Sequence, residues 1–232
     1  MRPHVQSCEL AGVPKKWVRT ESGKWQEIEL AEIRPETTAP AKRLTRFHQL
    51  LLIATFLPLC WLTMMAVHEL GHVIGASVSG GSVARVVLHP LTISRTDLSV
   101  NPHPLFVAWA GPVAGVLLPL VLVASVKSAG LRWGFLFQLF AGFCLIANGV
   151  YVGVGSFEGI GDTGDMLRAG CPVWWLWLFG LVTFPAGLFL WHGLGPNFGL
   201  GFSGGKVDHR AAYVSCGLLV LTVMLELVLS TR

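Results

Sequence analysis

Charge is what this sequence lacks most. Only 13% of its 232 residues are Asp, Glu, Lys or Arg, against about 25% in ordinary soluble domains. With 53% hydrophobic residues and a mean hydropathy of +0.61, its apolar surface exceeds what one core of this length can cover, and a lipid bilayer is the solvent that accepts the remainder. Cysteine is scarce and unpatterned. Cys8, Cys60, Cys144, Cys171 and Cys216 are odd in number and show no C-x-x-C spacing. That argues against a disulfide framework or a cysteine zinc knuckle and leaves small buried hydrophobes as the reading. No apolar run begins before about residue 47, so the pattern of a cleaved signal peptide is missing.

Positive charge is concentrated at one end. Nine of the 17 Lys and Arg fall in residues 1–46, beside six Glu. Lys42, Arg43 and Arg46 abut a long apolar run, which reads as a cytoplasmic anchor at the lipid surface rather than a nucleic-acid contact. Within this polar arm, "KKWVRTESGKWQEIEL" has a Ser-Gly turn between two partly alternating segments and reads either as a small hairpin or as disordered chain. Pro35 and Pro40 read as a linker.

Five apolar runs follow, over about 47–78, 105–127, 132–154, 173–194 and 211–229. Each is long enough to cross roughly 30 Å of hydrocarbon at about 1.5 Å per residue. Residues 82–100, rich in Val, Ile and Thr with a His-Pro break, read as two short strands. The expected fold is an all-α polytopic membrane protein of about five transmembrane helices with a small strand-like insert after the first. Residues 155–171 and the stretch "GLGPNFGLGFSGGKVDHR" are Gly-rich and read as loops, the second as flexible. Counting Lys and Arg on alternate sides places the N-terminus inside: the arm, Lys127, Arg132, Lys206 and Arg210 share its side, and Arg85, Arg95, Arg168 and Arg232 lie opposite.

Against this apolar background, "MMAVHELGHVIGASVSGG" (64–81) places His68, Glu69 and His72 late in the first span. Two His four residues apart on a helix point the same way and can reach one metal ion. Glu69, next to the first, can serve as general base toward a water held there, the H-E-x-x-H arrangement. Chance yields this pattern about 0.01 times in a chain of this composition, and each charged group at mid-membrane costs on the order of 2.5–3.5 kcal/mol. A catalytic zinc site takes a third protein ligand. The ends of spans one and three share a membrane side whichever way the chain is inserted, so Asp162 and Asp165 of "GIGDTGDML" are within topological reach. His89, His103 and Glu158 compete with them.

At these residues the sequence resembles the site-2 protease family of intramembrane zinc metalloproteases. "HELGH" (68–72) corresponds to the family's first motif. "ANGVYVGVGSFEGIGDTGDML" partly matches its second, N-x-x-P followed by L-D-G, with Asn148 in the Asn position, Tyr151 in place of Pro, and Asp162 as the metal-binding Asp. "AWAGPVAG" (108–115) is similar to the family's small-residue patch. The resemblance covers about residues 47–170, a three-span core with its insert, and leaves the arm and the two spans of 171–232 uncovered. It implies zinc (Zn2+) held by His68, His72 and Asp162, Glu69 as the catalytic base, Asn148 as a second catalytic residue toward substrate or oxyanion, and a transmembrane or membrane-anchored protein as substrate. The alternatives are a metal-binding membrane protein of the same fold without proteolytic activity, and a metal-ion transporter. The transporter lacks support because spans four and five carry no second His/acid cluster.

Overall fold

The computed structural model describes residues 15–19, 24–29 and 39–230. Cys8 and Pro35 lie outside them. The chain divides into two compact units, Met1–Leu44 and Thr45–Arg232. In the first, β1 (Lys15–Arg19) and β2 (Trp25–Glu29) pair antiparallel, Lys15 opposite Glu29 and Arg19 opposite Trp25. Of the two readings of this stretch, the hairpin is the one observed, and its Trp, Val and Ile content suits a pleated ribbon.

The all-α polytopic expectation holds. Among the described residues, five helices are long and apolar enough to cross a membrane, so the chain is a multi-pass membrane protein. They are α1 (Ala39–Val78), α2 (Pro104–Ser128), α3 (Gly134–Glu158), α5 (Val173–Trp191) and α6 (His209–Ser230), with the short α4 (Gly161–Arg168) between α3 and α5. α1 starts earlier than its apolar run, because Pro40 sits in its first turn rather than in a linker; a proline there has no helical N–H partner to lose. At 40 residues α1 is about 60 Å long, twice the hydrocarbon thickness, so its polar N-terminal turns extend beyond the apolar segment. It ends at Ser79-Gly80, where Gly80 has φ +79°.

The insert is the expected pair of strands, β3 (Ser82–Val87) and β4 (Arg95–Val100), antiparallel with Val86 opposite Thr96. Residues 155–171 depart from the loop expectation. α3 runs on to Glu158, and α4 follows after Gly159 and Gly161, both at positive φ. The Gly-rich signal marks the two sharp turns that let α4 fold back, not an unstructured stretch.

Helix packing rests on small residues. A Cβ on Gly71 would meet Gly111 Cα at 2.9 Å and Ala114 Cβ at 2.6 Å, which draws α1 against α2. A Cβ on Gly180 would meet Gly153 Cα at 3.0 Å, which joins α5 to α3. Without water to drive association, close backbone approach is how membrane helices gain contact energy. The stretch before α6, read as flexible, is instead folded into two 3-10 turns, Gly195–Phe198 and Gly201–Ser203. Phe198 is buried with Phe56 and Phe140 in the main core. The Gln49 amide donates to the Phe198 carbonyl at 3.0 Å while its oxygen accepts from Arg46 at 2.9 Å. Nearby, the Trp133 indole and the Arg132 guanidinium both donate to Asp208, each at 3.0 Å. The Trp133 bond, then the Arg210 backbone N–H and the Arg132 charge, hold the Asp208 carboxyl below the usual carboxylate range. These contacts gather the start of the α1 span, the α2–α3 turn and the α5–α6 connection at one end of the bundle, as alternate crossing requires.

Candidate metal centre

Three side chains from two elements meet at the opposite end of α1. His68 Nε2 lies 2.8 Å from Asp162 Oδ2, His72 Nε2 lies 3.2 Å from the same oxygen, and the two nitrogens are 3.1 Å apart. Both histidines are buried, and Asp162 is mostly so. Among the described residues this is the group of His, Cys, Asp and Glu arranged to hold a metal ion. Asp162 rather than Asp165 completes it. Asp165 is exposed and paired with Arg168 at 2.5 Å, so it accepts nothing from a histidine although α4 is helical. Of the other competitors, His89 accepts the Leu91 N–H within its own turn, and His103 and Glu158 are exposed.

The far side of each ring decides what the near side offers. His72 Nδ1 lies 2.8 Å from the Val107 carbonyl. A carbonyl only accepts, so Nδ1 carries the proton. Asn148 Nδ2 donates to the Cys144 carbonyl at 2.9 Å, which fixes the amide so that its oxygen faces His68 Nδ1 at 2.8 Å. That nitrogen is therefore the donor too. In the neutral rings both Nε2 atoms are left as lone pairs, pointing at one carboxylate oxygen. Three acceptors within 3.2 Å of one another call for positive charge between them, and the group could hold a metal ion. Ligand atoms about 2.0–2.1 Å from a tetrahedral zinc stand roughly 3.3 Å apart, so accommodation requires the cluster to open by only a few tenths of an ångström.

Room for the site comes from α2. A Cβ on Gly111 would strike His72 Nε2 and lie 2.8 Å from His68 Nε2, and one on Gly115 would lie 2.6 Å from Asn148 Nδ2. The Gly111-x-x-x-Gly115 pair thus does more than pack helices: one glycine makes space for the histidines and the other for the asparagine that orients them.

Glu69 is buried on the same turn as His68. Its two oxygens accept from the hydroxyls of Ser94 at 2.8 Å and Thr96 at 2.7 Å, both from the β3–β4 insert. Beside it opens a cavity of about 500 Å3 lined by His68, Glu69, Asn148 and Tyr151 and otherwise mostly by apolar side chains, among them Trp61 and Met65. Asn148 is 1% exposed, with its oxygen on His68 and its NH2 on the Cys144 carbonyl and against Gly115. The parts that sequence reasoning missed are Ser94, Thr96 and the Val107 carbonyl. Hydroxyls and backbone carbonyls carry no spacing signature, and only the fold reveals them. No family model matches the chain, and no curated protein or solved structure is similar to it above chance.

Proposed function

We propose that the chain is an intramembrane zinc protease acting on a transmembrane or membrane-anchored protein, with its N-terminus on the cytoplasmic side. One observation carries the reading: three metal-seeking atoms converge beside a buried Glu, at the wall of an apolar cavity, inside a helix bundle. Zinc bound to His68, His72 and Asp162 would supply Lewis acidity toward the scissile carbonyl and lower the pKa of the attacking water toward about 7. Glu69, beside the ligands, would take a proton from a water in the site and return it to the leaving amine. The Val107 carbonyl and Asn148 keep both rings in the tautomer that ligates. The apolar cavity wall suits an unwound hydrophobic segment, and the β3–β4 insert beside Glu69 suits pairing with it by strand addition.

A second reading, metal binding without proteolysis, draws on the Ser94 and Thr96 hydroxyls that occupy both Glu69 oxygens. Each carboxylate oxygen has a second lone-pair site, so these bonds orient Glu69 and still leave it able to accept a proton. Glu69→Gln separates the readings. The protease reading expects zinc retained and cleavage of a model transmembrane substrate abolished. Cleavage at the wild-type rate would remove Glu69 from the mechanism and the protease assignment with it.

A further inference from the structure

Asp162 reaches the histidines from α4, an eight-residue helix, and something must hold it there. The N-cap residue of α4, Ile160, offers no side-chain cap, although the first N–H groups of any helix lack intrahelical acceptors. The acceptor for Asp162 N–H comes from another helix: the Tyr151 hydroxyl oxygen of α3, at 3.1 Å. The same phenol stands edge-on to the His68 ring, centroids 5.7 Å apart and planes at 76°. Tyr151 follows Asn148 by three residues, so both side chains leave α3 on one face, and both line the cavity with His68 and Glu69. Gly161 has φ +57°, and a Cβ there would lie 2.5 Å from the Tyr151 oxygen. The turn into α4 is therefore shaped to admit the hydroxyl.

We propose that Tyr151 is a positioning residue of the metal centre, a single side chain that caps α4 at Asp162 and buttresses His68, and so sets the separation of two ligands carried by different elements. The proposal rests on the metal-binding reading of His68, His72 and Asp162. Its sense is mechanical. α4 is joined to α3 through Gly159 and Gly161, both at positive φ. Thr163 ties α4 back to Gly155 by its hydroxyl at 3.0 Å, and Tyr151 is the contact that acts on the ligand residue itself. Removing the hydroxyl leaves the ring on His68 and frees the Asp162 end.

The test uses the full-length chain in detergent, wild type against Tyr151→Phe and His72→Ala, with zinc affinity read by chelator competition, the visible spectrum of the cobalt-substituted protein, and the melting temperature without metal. For Tyr151→Phe we expect zinc Kd to rise by about 10–100-fold, the range for losing a group that orients a ligand. The cobalt ligand-field bands should shift, and the metal-free melting temperature should stay at the wild-type value. Wild-type Kd and an unchanged cobalt spectrum in Tyr151→Phe would overturn the proposal while leaving the metal reading intact, and so would a lowered melting temperature with unchanged Kd. A wild type that binds zinc no better than His72→Ala would overturn the metal reading and this proposal together.

Discussion

The two ends of α1 both bury polar side chains, yet they are built to different ends. Near the start of its apolar run, Gln49 is 5% exposed, and its amide is matched donor to acceptor, with the NH2 on the Phe198 carbonyl and the oxygen on Arg46. A satisfied polar group of this kind stabilises the fold and asks for nothing further. Some 20 residues on, His68 and His72 are as deeply buried, but their outer nitrogens are matched and their inner ones are not: two lone pairs and a carboxylate oxygen face one another. Burial does not separate a structural polar cluster from a functional one. The distinguishing mark is a set of acceptors turned on one another, which a shared cation would satisfy.

The contrast can be broken in graded steps. The largest effect is expected at Gly111→Ala, whose new methyl would occupy the space of the imidazole nitrogens. We expect bound zinc to fall below about a tenth of the wild-type stoichiometry, a loss of affinity at the upper end or beyond what ligand-orienting groups show, as measured by elemental analysis of the purified protein. Asn148→Leu comes next. It removes the acceptor that fixes the His68 tautomer, so zinc Kd should rise by about 10–100-fold, with the chain still folded. At the other end of α1, Gln49→Leu should cost stability without touching the metal. It strands the Phe198 carbonyl, at about 1–3 kcal/mol, visible in thermal unfolding with zinc content unchanged. Asp208→Asn should be the mildest. Its ion pair with Arg132 is largely exposed on the Arg side, 72%, so the pair itself contributes at most about 1 kcal/mol, read by thermal unfolding. A Gln49 variant that lost zinc, or a Gly111 variant that kept it, would erase the distinction between the two ends.

Much of this was legible in the sequence, for identifiable reasons. Span lengths and the strand pair follow from hydropathy and period, and the His pair follows from helical spacing. Alternate crossing of the membrane put Asp162 on the side of the histidines before any coordinates did. What stayed hidden was what glycine meant in each place. In 155–171 it marks turns around a helix, in 193–205 it permits a folded connection packed by Phe198, and at Gly111 it is a space reserved for imidazoles. One residue type served three purposes, and only the neighbours distinguish them. The contacts of Asn148 were hidden likewise, since no spacing in the sequence says that its amide joins the His68 ring to the Cys144 carbonyl.

Whether His68, His72 and Asp162, and not Asp165, form a metal centre is tested most directly by the zinc content of the purified full-length chain alongside Asp162→Asn and Asp165→Asn. About one zinc per chain is expected in the wild type and in Asp165→Asn, as for a single three-ligand site, with loss of the metal in Asp162→Asn. Zinc retained by Asp162→Asn and lost by Asp165→Asn, or a wild type without affinity for zinc, would contradict that assignment.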